Sequence, residues 1–148
     1  MERIPTGGMS AIRAAEYAPH FASAQHLFLA GDLHLPNPHP FFRDARVEII
    51  ACKYDAGDAG LFHWHAVVTE YELVLEGSVS YLEAATGALH RFEPGDLTLI
   101  PAGVCVRRTV DQACRTLALK LPSSAEKVHC RGCHRECPSR QEPAEENP

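Results

Sequence analysis

Between Arg46 and Leu121 the chain is a succession of short strand-like runs, each closed by turn residues. Arg46–Tyr54 comes first and ends in Asp55-Ala56-Gly57-Asp58-Ala59-Gly60. Leu61–Val67, Glu70–Leu75 and Ser78–Glu83 follow, then Leu89–Phe92 after Thr86-Gly87, and Leu97–Ile100 after Glu93-Pro94-Gly95-Asp96. Val104–Val110, after Pro101-Ala102-Gly103, and Arg115–Leu121 complete the series. Many short strands at close spacing, with glycine and proline between them, predict an all-β sandwich or barrel.

The flanks read differently. Ala11 to Leu29 is rich in helix formers, with Ser10 as N-cap and Pro19 as a break, which predicts two short helical pieces. Leu35-Pro36-Asn37-Pro38-His39-Pro40 is a rigid extended linker. Residues 1–45 are therefore an N-terminal arm and linker, 46–121 the barrel, and 122–148 a Cys/His-rich tail whose acidic, proline-rich end is expected to be disordered.

At 148 residues the chain is one domain, and 45% hydrophobic residues suffice for a core. A net charge of −5 argues against nucleic acid or an anionic membrane as partner. Met1-Glu2-Arg3-Ile4-Pro5 lacks the apolar stretch of a secretion signal, and no apolar run is long enough to span a bilayer. The protein is thus expected to be cytoplasmic, with its six cysteines reduced or metal-bound.

The chemistry concentrates around His63 and His65. Two positions apart in a strand, they face the same way, and Glu70 and Glu72 form a second same-face pair on the next strand. The odd offset from His65 to Glu70 requires a turn or bulge between them. If both pairs face inward, two imidazoles and a carboxylate converge, a set that suits Fe(II) and also Mn, Ni or Zn.

The glycine frame around these residues closely resembles the cupin superfamily. Gly57, five residues, His63-Trp64-His65, four residues, Glu70, six residues and Gly77 match every fixed position of the first cupin motif. Gly95, five residues, Pro101-Ala102-Gly103 and two residues match the second motif up to its final His, where this chain has Val106. The resemblance implies a jelly-roll (double-stranded β-helix) barrel carrying its ligands on strands that face a pocket. It also implies a metal held by His63, His65 and Glu70, the fourth ligand being absent. Small single-barrel cupins commonly pair, which implies a homodimer.

Around that site several roles stay open. Glu72 is a fourth ligand, a general base, or a carboxylate paired with an inward Arg or a water. Arg108, on the face of Val106, grips a substrate carboxylate, pairs with Glu72, or lies in solvent at the barrel mouth. Tyr71 reads first as packing, like Trp64, and is an alternative base. Cys105 adjoins the missing ligand position, but alternation turns it to the other face. His20, His26, His34, His39 and His90 read as solvated or turn residues, and Cys52 and Cys114 as small buried hydrophobes.

Past Pro122, Cys130, Cys133 and Cys137 follow C-x2-C-x3-C spacing with His129 and His134 interleaved. Such a set can wrap one tetrahedral zinc; the alternatives are a reduced, redox-sensitive tail or a disulfide. The resemblance does not reach this segment.

The fold does not choose an activity. The favoured expectation is a metalloenzyme acting on a small organic substrate, as a non-haem iron dioxygenase-type oxidoreductase or as a lyase or isomerase with Glu72 or Tyr71 as base. The alternative is a non-enzymatic small-molecule or metal/redox sensor triggered through the tail.

Overall fold

The computed structural model describes residues 1–4 and 7–130. A short strand β1 (Glu2–Arg3) precedes a single-turn helix α1 (Ala14–Tyr17) and a 3-10 turn over Ala18–Ala22. The remaining elements are strands: β2 (His26–Ala30), β3 (Phe41–Phe42), β4 (Glu48–Tyr54), β5 (Phe62–Trp64), β6 (Thr69–Glu83), β7 (Leu89–Phe92), β8 (Leu97–Ile100), β9 (Val106–Leu121) and β10 (Val128–Cys130). The architecture is all-β, as the strand pattern predicts, and is the jelly roll that the resemblance implies. Among the described residues no helix is long and apolar enough to cross a membrane.

Two long strands organise the barrel. β6 and β9 pair antiparallel from Thr69↔Leu121 to Glu83↔Val106. The other edge of β9 takes β4 along Glu48–Tyr54 and then β5, at His63↔Val106. The other edge of β6 takes β8 and β7 in turn. The sequence divides each long strand in two; the structure runs each through, absorbing the irregularity as bulges in the β6–β9 ladder between Val74 and Val79. Gly77 permits this. It sits at φ 73°, and a Cβ there would lie 2.1 Å from the Ala113 carbonyl oxygen. Any side chain would force the two strands apart.

The interior consists of two adjoining apolar clusters. Ile50, Cys52, Tyr54, Val110, Cys114 and Ala118 form one, and Val74, Val79, Tyr81 and Val106 the other. A third cluster on the opposite face of β5 packs Phe62 and Trp64 against Cys105 and Cys130.

Both flanks depart from the sequence reading. The helical stretch expected to run to Leu29 stops at Ala22, and His26–Ala30 is a strand paired with β4. Burial of Leu27 and Ala30 against the barrel outweighs the helix propensity of this alanine- and leucine-rich segment. Arg13, not Ser10, occupies the N-cap position of α1, and its backbone N–H donates to the Glu16 carboxylate at 2.6 Å. Beyond Leu121, where no further strand was expected, β10 pairs with β5: Val128↔Trp64, His129↔His63 and Cys130↔Phe62. β10 adds to the edge of β5 that faces away from β9, an edge otherwise left unpaired among the described residues.

Candidate metal centre

His63 lies in β5, His65 just past its end, and Glu70 near the start of β6. The bend at Ala66–Val67 between them resets the strand phase, so all three side chains converge. Their ligand atoms lie within 4.8 Å of one another. The two imidazole centroids are 5.5 Å apart with the rings at 81°. An ion about 2.1 Å from each ring nitrogen fits that separation.

Each imidazole is set by a backbone carbonyl. His65 Nδ1 donates to the Glu126 carbonyl oxygen at 2.6 Å, and His63 Nδ1 faces the Leu61 carbonyl at 3.3 Å. With Nδ1 so engaged, Nε2 keeps its lone pair for a ligand bond. His65 is 3% exposed, and its Nε2 is buried without a hydrogen-bond partner, 3.5 Å from Glu70 Oε2. A buried, unsatisfied acceptor aimed at a carboxylate is costly unless a cation sits between them. Two imidazoles and one carboxylate are also a donor set suited to a divalent transition metal. The residues present therefore fit a metal ion.

The electrostatics favour the ligand forms. Burial, assisted by Lys127, pushes His63 down to about 4, so its ring is neutral at pH 7. Burial opposes the charge of Glu70, but His65 and Lys120 outweigh it and hold the carboxyl below its ordinary value.

The Glu70 and His63 side chains line a cavity of about 120 Å3 together with Glu72, Tyr81, Arg108, Tyr54 and His26. Glu72 is 2% exposed, accepting from Tyr81 Oη at 2.6 Å and from Thr116 Oγ1 at 2.9 Å. Burial raises its pKa; the Tyr81 hydrogen bond works against this and the charge of Glu70 adds to it. Arg108 makes no ion pair with Glu72; its guanidinium stacks on Tyr54, 3.9 Å from the ring centroid. Tyr71 alternates to the other face of β6 from Glu70 and Glu72 and lines no part of this cavity.

Val106 stands opposite His63 across the β5–β9 ladder, inside the barrel at 3% exposure. Cys105 faces the third cluster, away from the triad. Cys130 joins it there, while His129, its neighbour in β10, takes the opposite face beside His63, ring centroids 6.2 Å apart. The strand thus separates two residues that the sequence reading grouped in one zinc cluster. Cys133, His134 and Cys137 lie outside the described residues. Among the described residues, His63, His65 and Glu70 are the one group able to hold an ion.

Sequence reasoning missed several residues here. Glu126 acts through its backbone carbonyl and leaves no side-chain signature; its carboxylate also accepts the Ala66 N–H at 2.8 Å. His26 is exposed, as read, yet its ring is engaged: Nε2 lies 2.7 Å from Tyr54 Oη at the cavity wall. His39, also read as solvated, is 1% exposed with Nδ1 3.0 Å from the Pro40 carbonyl. The Gly103 N–H donates to the His65 carbonyl at 2.7 Å, so the second glycine motif helps position the first.

Residues 53–118 match the family model for the EutQ-like cupin domain. The jelly roll with a two-histidine, one-glutamate cluster at one end of β5 agrees with that match, and together they support a protein of the cupin superfamily. No functionally curated protein matches the chain. Among solved structures it is similar to the DMSP lyase DddQ from Ruegeria pomeroyi DSS-3, at 22% identity and a TM-score of 0.57 over 70% of this chain and 50% of that one. It is also similar to the polyketide cyclase RemF from Streptomyces resistomycificus, at 20% identity and a TM-score of 0.55 over 65% and 67% of the two chains. A double-stranded β-helix protein from Klebsiella pneumoniae aligns at 14% identity and a TM-score of 0.53, over 58% and 71%. At these identities the likenesses speak for the fold. The activities named belong to those proteins.

Proposed function

We propose that the protein is a metal-dependent enzyme acting on a small organic substrate, with His63, His65 and Glu70 as ligands. The observation that carries this reading is His65: its Nδ1 is pinned by Glu126, and its buried Nε2 has no hydrogen-bond partner beside Glu70. Non-haem Fe(II) is the favoured ion, with Mn, Ni or Zn as alternatives. A divalent ion in this set supplies Lewis acidity and, as Fe(II), a redox centre for O2. Val106 adds no ligand, so three protein donors leave positions for substrate and a small co-reactant.

The chain's own residues supply the rest. The cavity is small, which limits the part of the substrate it encloses to a few heavy atoms. Glu72 carries a proton more readily than an ordinary carboxylate, and Tyr81 and Thr116 hold it in place to pass one to or from the substrate. Oxidation by O2 is the favoured reaction class, with lyase or isomerase chemistry through Glu72 as the redox-neutral form. Metal analysis of the purified protein, followed by O2 uptake and product detection over a panel of small acids and thiols, tests this. About one divalent ion per chain and turnover that follows it are expected. Protein that takes up no divalent ion overturns the reading.

A sensor role is the second reading. It is favoured by β10, which joins the start of the Cys/His-rich tail to the ligand strand in register. Ligand or metal binding without turnover of any compound would select it.

A further inference from the structure

A second polar group enters the same cavity opposite the metal triad. His26 comes from β2, Tyr54 from β4 and Arg108 from β9, three strands with no local spacing in common. Arg108 Nη1 donates to Tyr54 Oη at 3.1 Å, and the same oxygen pairs with His26 Nε2 at 2.7 Å. The guanidinium carbon lies 3.9 Å from the Tyr54 ring centroid. Its position is therefore set by two contacts with one residue, the ring face and the phenol oxygen.

What this leaves is the other edge of the fork. Nη1 is committed to Tyr54, and Nε is buried with no hydrogen-bond partner. Nε and Nη2 form the edge with which arginine grips a carboxylate through two parallel bonds. Arginine keeps its charge at any working pH. Among the described residues no carboxylate lies within ion-pair distance of it: Lys120 has Glu48 at 3.4 Å, whereas both Glu72 oxygens already accept from Tyr81 and Thr116. His26 adds no competing charge, since burial, with Arg108 next, pushes it down to about 4. Arg108 is partly buried, and its buried Nε–H without an acceptor is costly; an anionic ligand removes that cost.

We propose that the Nε edge of Arg108, oriented by Tyr54 and His26, binds the carboxylate of a small organic acid whose other end faces His63 and Glu70. This names the substrate class of the site and rests on reading that cavity as the place of reaction. His26, Phe28, Lys120 and Lys127 also line an outer cavity of about 670 Å3, so any larger part of the acid extends that way. Of the two shared lysines, Lys120 is paired with Glu48, so Lys127 is the one that favours an anion on that route.

The test separates the carboxylate site from the metal. Acetate, glycolate and pyruvate, with acetamide as the neutral control, are titrated calorimetrically into chelator-treated and Mn(II)-loaded protein at fixed ionic strength. The carboxylates are expected to bind both forms and acetamide neither. Arg108→Gln should weaken carboxylate binding about thirtyfold or more in both forms, with Arg108→Lys between the two. Should Arg108→Gln fail to fold, wild-type protein provides the readout: acetate, but not acetamide, should raise its thermal midpoint and shift the Arg108 Nε NMR resonance. Carboxylate binding only to the metal-loaded form, or unaltered binding by a folded Arg108→Gln, overturns the proposal. So does an Nε resonance that acetate does not move. Protein that takes up no metal yet binds carboxylates through Arg108 would sink the metalloenzyme reading and leave this one standing.

Discussion

His63 on β5 and Val106 on β9 stand directly opposite each other, both facing the barrel interior. An antiparallel pair places its side chains on one face, so a longer residue at 106 would reach towards the triad. Val106→His should tighten retention of a divalent ion against a competing chelator. It should also slow turnover that needs the open coordination position. The larger ring must enter the Val74, Val79 and Tyr81 cluster, so a loss of about 1–3 kcal/mol in denaturant stability is expected alongside. Unchanged metal retention would mean that position 106 does not face the ion.

Replacing both ligand histidines separates site from fold. His63→Ala with His65→Ala should abolish stoichiometric metal uptake, measured by elemental analysis. Far-UV circular dichroism should stay that of a β protein, because the β6–β9 ladder does not involve either ring. Retention of the ion by the double variant would refute the assignment.

The two ends of β10 give a paired truncation. A chain ending at Pro122 loses the Glu126 carbonyl that orients His65. Its metal affinity should fall about 10–100-fold, the usual effect of removing a partner that holds a ligand. A chain ending at Cys130 keeps Glu126 and β10 and should bind the barrel ion as the full chain does. A second equivalent of zinc held by the full chain and lost from both truncations would indicate a separate site that needs Cys133, His134 or Cys137. Equal affinities for both truncations would show that the carbonyl does not position His65.

Glu72→Gln keeps a hydrogen-bonding side chain of the same shape but cannot carry the proton. The variant should fold with little change in stability, since a buried carboxylate is replaced by a neutral group. Turnover should fall by about 10²–10⁴-fold, and the limb of the pH–rate profile assigned to a carboxyl of raised pKa should disappear. A profile that keeps this limb would place the proton on another group.

Acid stability follows from His63, lowered by burial from 6.5 to about 4. Well above pH 6.5 the ring is neutral in folded and unfolded chains alike and contributes no slope. As pH falls from 6.5 towards 4 the unfolded chain takes up a proton that the folded one refuses, so stability drops, by roughly 2–3 kcal/mol. Below about 4 this group adds no further loss. Urea midpoints of metal-free protein at pH 7, 6 and 5 should show the fall. A shallower slope is expected for His63→Gln, and a flat profile for the wild type would contradict the burial of the ring.

The triad was legible because it is local. His63 and His65 share a strand, Glu70 opens the next, and Gly57 and Gly77 bracket the hairpin, so alternation and spacing suffice. The Arg108–Tyr54–His26 group was not legible as a unit. Its members come from three distant strands and meet only through the β2–β4 and β4–β9 pairings. His26 in particular lies in a segment whose alanines and leucines favour helix in isolation, and only burial against the barrel makes it a strand. The sequence reading ends one strand at Leu75 and begins another at Ser78, whereas the close contact of Gly77 with Ala113 lets one bulged ladder run through. β10 was hidden by brevity, three residues among polar and basic neighbours.

The hydrogen bond from His65 to Glu126 spans 61 positions of chain. The bond closes a loop of chain that runs from His65 through β6, β7, β8 and β9 to Glu126. Whatever loosens the segment just before β10 therefore frees the His65 ring, while the β6–β9 ladder, held by its own backbone bonds, stays paired.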